Sequence, residues 1–511
     1  MRRPGVHRAG RAVARFSGPA QHAGSGRPVD CMARWRQIEP GAKTTMNPVQ
    51  GWAGLFATGL LCACASAPTD RPSPMATSLP PAWHAVLPVA AAADSPQTGW
   101  VAFGDPVLLA LIEAARAASP SLAVAQARIE RARAALAGAQ AAQAPRLDAT
   151  AQASRTRQAP RQAAAASGFV GVQAGWELDL FGAVRAGRRA AESRLEGAQA
   201  GWHEARSAVE AETAGAYVAL RACEAQAQQA REDARSRAQT ADLMVQSERA
   251  GFTAPADAAL ARAGAAQART AASQQVLQCE VLVKGLVEMT AQPEDSLRRQ
   301  LAAGSAHVPK APGAVVRALP AVLLTQRPDI ADALQAVQAA AADIDQAMAR
   351  QRPQVSLTGS VGLGSLRSAG ATVQGNTWSL GPLVVSFPLF DAGARRAATA
   401  AARAGYDEAV ALAQAQLRRA VREVETSLAV LQSSTEREAD ALAAAQDFET
   451  TLRATQARQQ GGLASLFDLE AARRSALAAQ SALIELRRER AQAWINLYRA
   501  LGGGWQLAAS T

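Results

Sequence analysis

Thiols, imidazoles and carboxylates are the side chains with which most proteins do chemistry, and in this 511-residue sequence they form no reactive constellation. The histidines are His7, His22, His84, His203 and His307, too scattered for metal-ligand spacing. Neither a Gly-x-Ser-x-Gly elbow nor a P-loop occurs. No nucleophile, metal centre or cofactor cradle emerges, so no enzyme is expected. The five cysteines fall into two groups: Cys31, Cys62 and Cys64 near the start, and Cys223 and Cys279 far into the chain.

The first group points to covalent lipid. Residues 52–63, WAGLFATGLLCA, form a short apolar run ahead of Cys64 and a polar, Pro-rich stretch. The run is too short for a spanning helix and suits a signal-peptide core. Its Leu-x-Ala-Cys ending has the form of a bacterial lipoprotein processing box. Cleavage before Cys64 and its modification by diacylglycerol and an N-acyl chain are expected. Ala65, where an Asp would disfavour outer-membrane sorting, permits delivery to that membrane. Met32 supplies a basic region that Met46 lacks, so 1–31 reads as an over-extended start.

The same segment disposes of the charge. The chain carries 54 Lys and Arg against 43 Asp and Glu, a formal +11. Residues 1–63 hold nine of those bases and two of those acids, leaving 45 against 41 beyond them. A leader removed on export takes most of the basic excess with it, and no nucleic-acid partner is expected.

The elements that follow are duplicated. Ser119-Pro120, Ala144-Pro145, Leu180-Phe181 and Gly251 with Asp257 are echoed by Arg327-Pro328, Arg352-Pro353, Leu389-Phe390 and Gly462 with Asp468, at offsets of 208 to 211. Each unit predicts a moderate helix (106–143 in the first), two strands, and a long helical hairpin. Strict alternation over 170–180, with Val170, Val172, Ala174, Trp176, Leu178 and Leu180 on one side, is a two-faced strand of membrane-spanning length. Its partner at 147–155 has a mostly alanine face, and the second unit offers 355–363 and 378–390. The proline-free stretches 182–250 and 391–460 could each form a helix about 100 Å long. Glycines at 251 and 461–462 then turn the chain into return helices ending near 291 and 501.

Four strands cannot close a barrel, and an open edge is not tolerated in lipid. Three chains would supply twelve strands and remove every edge. The expected fold is therefore an α+β membrane protein: a long α-helical coiled-coil barrel joined to a transmembrane β-barrel of 12 strands, four per chain, completed by trimerisation. Domain limits are placed at 1–63 (start and signal peptide), 64–104 (linker), 105–310 (first repeat) and 311–507 (second repeat).

Several motifs together resemble the outer-membrane factor family of TolC-like channels, in particular its NodT-type lipoprotein branch. They are Phe103-Gly104-Asp105-Pro106-Val107-Leu108, Leu319-Pro320, Gln326-Arg327-Pro328-Asp329-Ile330, Phe387-Pro388-Leu389-Phe390-Asp391, and Asn496-Leu497-Tyr498-Arg499-Ala500-Leu501-Gly502-Gly503-Gly504-Trp505. The resemblance implies an outer-membrane, lipid-anchored homotrimer embedded in outer-membrane lipid. It would receive small molecules or drugs from a periplasmic adaptor (membrane fusion protein) and an inner-membrane pump of the resistance-nodulation-division class. Service to a type I protein secretion system is the alternative, and a periplasmic coiled-coil scaffold a more distant one.

The resemblance also nominates residues. Family channels close at the periplasmic end with an acid six residues after the hairpin glycine, which is Asp468 after Gly462; the further family acid falls at Ala471, with Glu470 nearby. The competing role for Asp468 is to complement a helix N-terminus. The Tyr and Arg that latch a known relative would fall at Gln459 and Ala464, so that latch is absent. Gly251, Phe252, Gly462 and Leu463 are expected at adaptor-docking tips, with subunit packing as the competing role for the apolar pair. Cys223 and Cys279 each stand 28 residues from Gly251 on opposite arms, at one height, which suggests a disulfide in an oxidising compartment. Two buried thiols are the alternative.

Overall fold

The computed structural model describes residues 82–84, 96–157, 163–312 and 326–505; Cys64, the leader and Leu319-Pro320 lie outside the described residues. A 3-10 helix, Pro96–Phe103, precedes α1 (Pro106–Ala118), α2 (Pro120–Ala141), β1 (Arg146–Thr156), β2 (Ala165–Leu178), α3 (Ala183–Arg249), α4 (Pro255–Thr290) and α5 (Glu294–Leu301). The second unit runs α6 (Pro328–Ala349), β3 (Gln354–Ser368), β4 (Ala371–Ser386), α7 (Ala394–Gln460) and α8 (Leu466–Ala500). Both long helices have 67 residues. At 1.5 Å per residue each is about 100 Å long.

One expected helix is two. The stretch 106–143 breaks at Ser119 with a bend of 47°. Pro120 has no amide to give and occupies the first helical position, while Ser119 stays extended and accepts from the Leu122 amide at 3.3 Å. The stretch 64–104 is likewise not all linker, because Trp100 and Phe103 are buried. Phe103 meets the edge of Trp494 at 4.9 Å between ring centres, and Trp494 stacks on Tyr498 at 5.5 Å.

Two textures of core follow from residue size. A belt of large side chains joins Leu108, Leu111 and Ile112 of α1, Val218 and Leu220 of α3, Leu286 of α4, Val424 and Leu428 of α7, and Trp494 and Ile495 of α8. Nearer the hairpin turns the seam is made of alanines, such as Ala234, Ala268 and Ala272. Small side chains let long helices approach closely but remove little apolar area from water per residue.

The shared motifs build the belt. Asp105 caps α1 through the Val107 and Leu108 amides and accepts from Tyr217 Oη at 2.6 Å. Arg221, fully buried, lies over the Tyr217 ring and donates to the carbonyls of Leu301 and Ala303. Arg327 donates to Asp329, to Glu423 on α7, and to the carbonyl of Ala500 at the end of α8. Burial alone would raise the Asp329 pKa, but the Arg327 guanidinium and Gln416 hold it below the usual carboxylate range. The Arg-Pro-Asp motif thus ties the start of α6 to both helices of the second hairpin.

The strands form one antiparallel sheet in the order β1-β2-β3-β4, so β1 and β4 are both edges. A bulge on β4 separates the pairs Leu357–Leu383 and Gly359–Leu380. It falls at Gly381-Pro382, where proline supplies no ladder amide. The extra residue shifts phase, so Trp378 and Leu380 join Leu383 and Val385 on one face. Phe387, Leu389 and Phe390 follow the end of the strand.

Candidate functional site

The sheet sorts its side chains by chemistry. Cross-strand partners share a face, and one face reads Leu147, Ala174, Gly359 and Leu380 in one row, then Ala149, Val172, Val361 and Trp378 in the next. Trp176, Leu357 and Leu383 lie below them. Trp378 and Leu380 are each 80% exposed. A large continuous apolar patch facing outward marks a surface that something apolar covers.

The opposite face is polar, with rows such as Asp148, Gln173, Ser360 and Ser379. The hydroxyls of Ser360 and Ser379 lie 2.9 Å apart, as do those of Ser154 and Ser167 at 2.8 Å. Gly171 and Gly362 face each other there beneath the Phe169 ring. A Cβ on either would come 2.4 Å from the neighbouring strand's carbonyl, so neither position accepts a side chain without moving backbone.

Two junctions hold the sheet on the helices. Trp176 Nε1 donates to the Gln143 carbonyl beyond α2 at 2.9 Å. Asp179 and Asp391 each accept two amides at the starts of α3 and α7, where Gly182 and Gly393 take left-handed backbone.

At the far ends of the long helices are the two hairpin turns. Gly251 and Gly462 have φ of 79° and 72°, and the amides of Phe252 and Leu463 reach back to Ser247 and Arg458 at 2.9 and 2.8 Å. These are Schellman-type stops. They leave Phe252 86% exposed and Leu463 74% exposed. Phe467, 59% exposed on the first turn of α8, extends the second patch and was not among the residues nominated from sequence. The run Leu463, Leu466, Phe467 around a helix start was the signal for it.

The two nominated acids part company. Asp468 is exposed and forms a capping box with Ser465, accepting from its hydroxyl at 2.7 Å and its amide at 2.9 Å. Those bonds hold its pKa below the usual carboxylate range, with Arg458 adding to the effect. Glu470 instead pairs with Arg473 on its own helix and with Arg237 on α3 at 3.1 Å. It therefore binds one hairpin to the other, and Asp468 is the acid left without an arginine at ion-pair distance among the described residues. The sulfurs of Cys223 and Cys279 are joined, with Cα atoms 5.6 Å apart. Among the described residues no His, Cys, Asp and Glu cluster suits a metal ion.

An outward apolar sheet with two open edges, carried on 100 Å helices, defines a membrane-channel protein. The model of the family described as "Outer membrane efflux protein" matches residues 111–291 and again 319–503, and the chain belongs to that family. It is 30% identical over 470 residues to outer membrane protein OprJ of Pseudomonas aeruginosa, covering 90% of this chain and 97% of OprJ. The pyoverdine export outer membrane protein OpmQ of the same species is 28% identical over 472 residues, 88% of this chain and 95% of OpmQ. The solved outer-membrane channel OprN superposes with a TM-score of 0.72 at 26% identity, covering 87% of this chain and 96% of that one.

Proposed function

We propose that three copies of this chain close their sheets into one 12-stranded barrel in the outer membrane and their helices into a periplasmic tube, forming the exit conduit of a tripartite efflux system. The observation that carries this is the sheet: it is apolar on one face, polar on the other, and unpaired at β1 and β4. In lipid those edges must find partners, and β4 of one copy beside β1 of the next supplies them. The polar face then lines the lumen.

The conduit does no chemistry, and a pump supplies the energy. Phe252, Leu463 and Phe467 form the tip surface that meets the adaptor. Three Asp468 carboxylates ring the narrow end and favour cations. Cys64 carries lipid that adds to, without replacing, the barrel's hold on the membrane. Cys223 and Cys279 are disulfide-bonded in the periplasm.

Purified full chain in planar bilayers should conduct as a heat-modifiable trimer. Asp468→Ala should reduce cation selectivity and divalent block; identical traces for the two proteins would remove the gate assignment. Photo-crosslinkers at positions 252 and 463 should capture an adaptor in cells, and recovery of self-trimers alone would remove the docking assignment. Failure of the wild type to conduct or to resist detergent as a trimer would overturn the conduit.

A further inference from the structure

At the end of the sheet away from the helices, two arginines stand in one row. Arg155 on β1 is opposite Ala166 on β2, and Ala166 is opposite Arg367 on β3. Both therefore share the apolar face, with only an alanine between them. Two strand spacings set their Cα atoms about 10 Å apart.

Their height follows from the register. The apolar rows run from Leu178, Val355 and Val385 up to Ala151, Val170 and Leu363. From residue 178 to 170 is about 27 Å along a strand, or about 20 Å of height for a tilt near 40°. One small polar row follows, Ala153, Gly168, Ser365 and Gln374, and then the arginines. They stand four residues past Val170, about 10 Å above the apolar edge. That is headgroup depth.

Both arginines are exposed, and neither enters an ion pair among the described residues. No acid could neutralise them locally, since the sequence has no Asp or Glu in 149–176 or 357–390. A guanidinium presents a planar fork that grips phosphate through two hydrogen bonds. On an outward face at this depth, the anions within reach belong to lipid.

We propose that Arg155 and Arg367 form a clamp for the phosphorylated glycolipid of the outer leaflet, one arginine on each phosphate of its diglucosamine headgroup, with Ala166 leaving room for the sugar. This rests on the barrel reading above. The clamp would fix the barrel's depth and give each trimer three bound glycolipids at its rim.

The test uses the full-length trimer in phosphatidylcholine nanodiscs, titrated with bis-phosphorylated lipid A, dephosphorylated lipid A or phosphatidylglycerol and read by native mass spectrometry. Wild type should prefer bis-phosphorylated lipid A over both other lipids by on the order of tenfold or more. The Arg155→Gln/Arg367→Gln variant should lose that preference, and Arg155→Lys/Arg367→Lys should keep part of it. Equal binding by wild type and the Gln variant, or equal competition by phosphatidylglycerol, would overturn the clamp. Heat-modifiable mobility and conductance in phosphatidylcholine alone read the barrel separately. A variant that conducts without the lipid preference supports the clamp, and a wild type that conducts without it refutes the clamp alone. A wild type that neither inserts nor conducts refutes the barrel and the clamp together.

Discussion

The two hairpins share one backbone and are fastened differently. In the first, the residues 28 positions before and after the turn glycine are Cys223 and Cys279, and they are joined. The same positions around Gly462 are Ser434 and Arg490. Ser434 is buried and gives its hydroxyl to the Leu431 carbonyl, while Arg490 pairs with Glu438 and Arg437 meets both oxygens of Glu489 at 3.0 Å. A disulfide contributes about 2–4 kcal/mol, whereas a solvent-exposed ion pair contributes about 0–1 kcal/mol. The duplication therefore kept geometry and divided the fastening at this height: the first hairpin is pinned covalently, while the second, which carries Asp468, has ion pairs there, of which Arg437–Glu489 is open to water and salt.

The entries to the two repeats show the same division with the strengths reversed, and they offer the largest test. The matching helix starts are Ser119-Pro120 in repeat one, with a serine cap, and Arg327-Pro328 in repeat two, with a buried ion pair. Arg327→Ala would leave the buried Asp329 with the Gln416 side chain and the Ile330 amide but no cation, and should cost about 3–5 kcal/mol in chemical denaturation. Ser119→Ala should cost about 1 kcal/mol. Comparable losses would end the claim that the second entry is the stronger tie. The pH dependence has a definite sign. Folded Asp329 has a lowered pKa, so its contribution is complete above the unfolded carboxylate value near 4 and is lost as pH falls through the folded value. The penalty of Arg327→Ala should accordingly shrink in acid.

Next in size is the pin itself. Cys223→Ser/Cys279→Ser should lower stability by about 2–4 kcal/mol and speed proteolysis of α3 and α4 while leaving α7 and α8 unchanged. Equal loosening of both hairpins would mean that they move as one body. In that case the contacts between α8 and α3, which include Glu470–Arg237 and the Gln229–Gln480 hydrogen bond, outweigh the disulfide.

Periodicity and proline placement make much of this legible in the sequence. Glycine at 251 and 462 marks both turns, and alternation in 170–180 marks the strand face as far as Leu178, where β2 ends. Three things were hidden. The break at Ser119 looked like continuous helix because alanine fits either side of it. The β4 phase change depends on a bulge, which moves Trp378 and Leu380 to the face of Leu383 without altering composition. Glu470 and Asp468 are two residues apart, about 200° around a helix, so nearness in sequence set them on different surfaces. The gate nomination could not distinguish them because it rested on spacing from a turn, whereas pairing depends on which arginine the neighbouring helix presents.

The smallest expected effects concern the second hairpin alone. Raising salt from 50 mM to 1 M shortens the Debye length to about 3 Å and weakens exposed pairs. Arg437→Ala/Arg490→Ala should mimic that change, costing at most about 1 kcal/mol for the exposed Arg437–Glu489 pair and somewhat more for the half-buried Arg490–Glu438 pair, and should make α7–α8 cleavage less sensitive to salt. If conductance through wild type rises with salt beyond the rise in ion concentration, and the double variant shows no such excess, the charge-held hairpin is the one that opens. Asp468 then reports its position. Because Ser465 holds the Asp468 pKa down, divalent block should persist through the mildly acidic range and fade only below ordinary carboxylate titration. Ser465→Ala should move that fade to higher pH. A fade that stays put would place the blocking charge on another residue and leave Asp468 a helix cap.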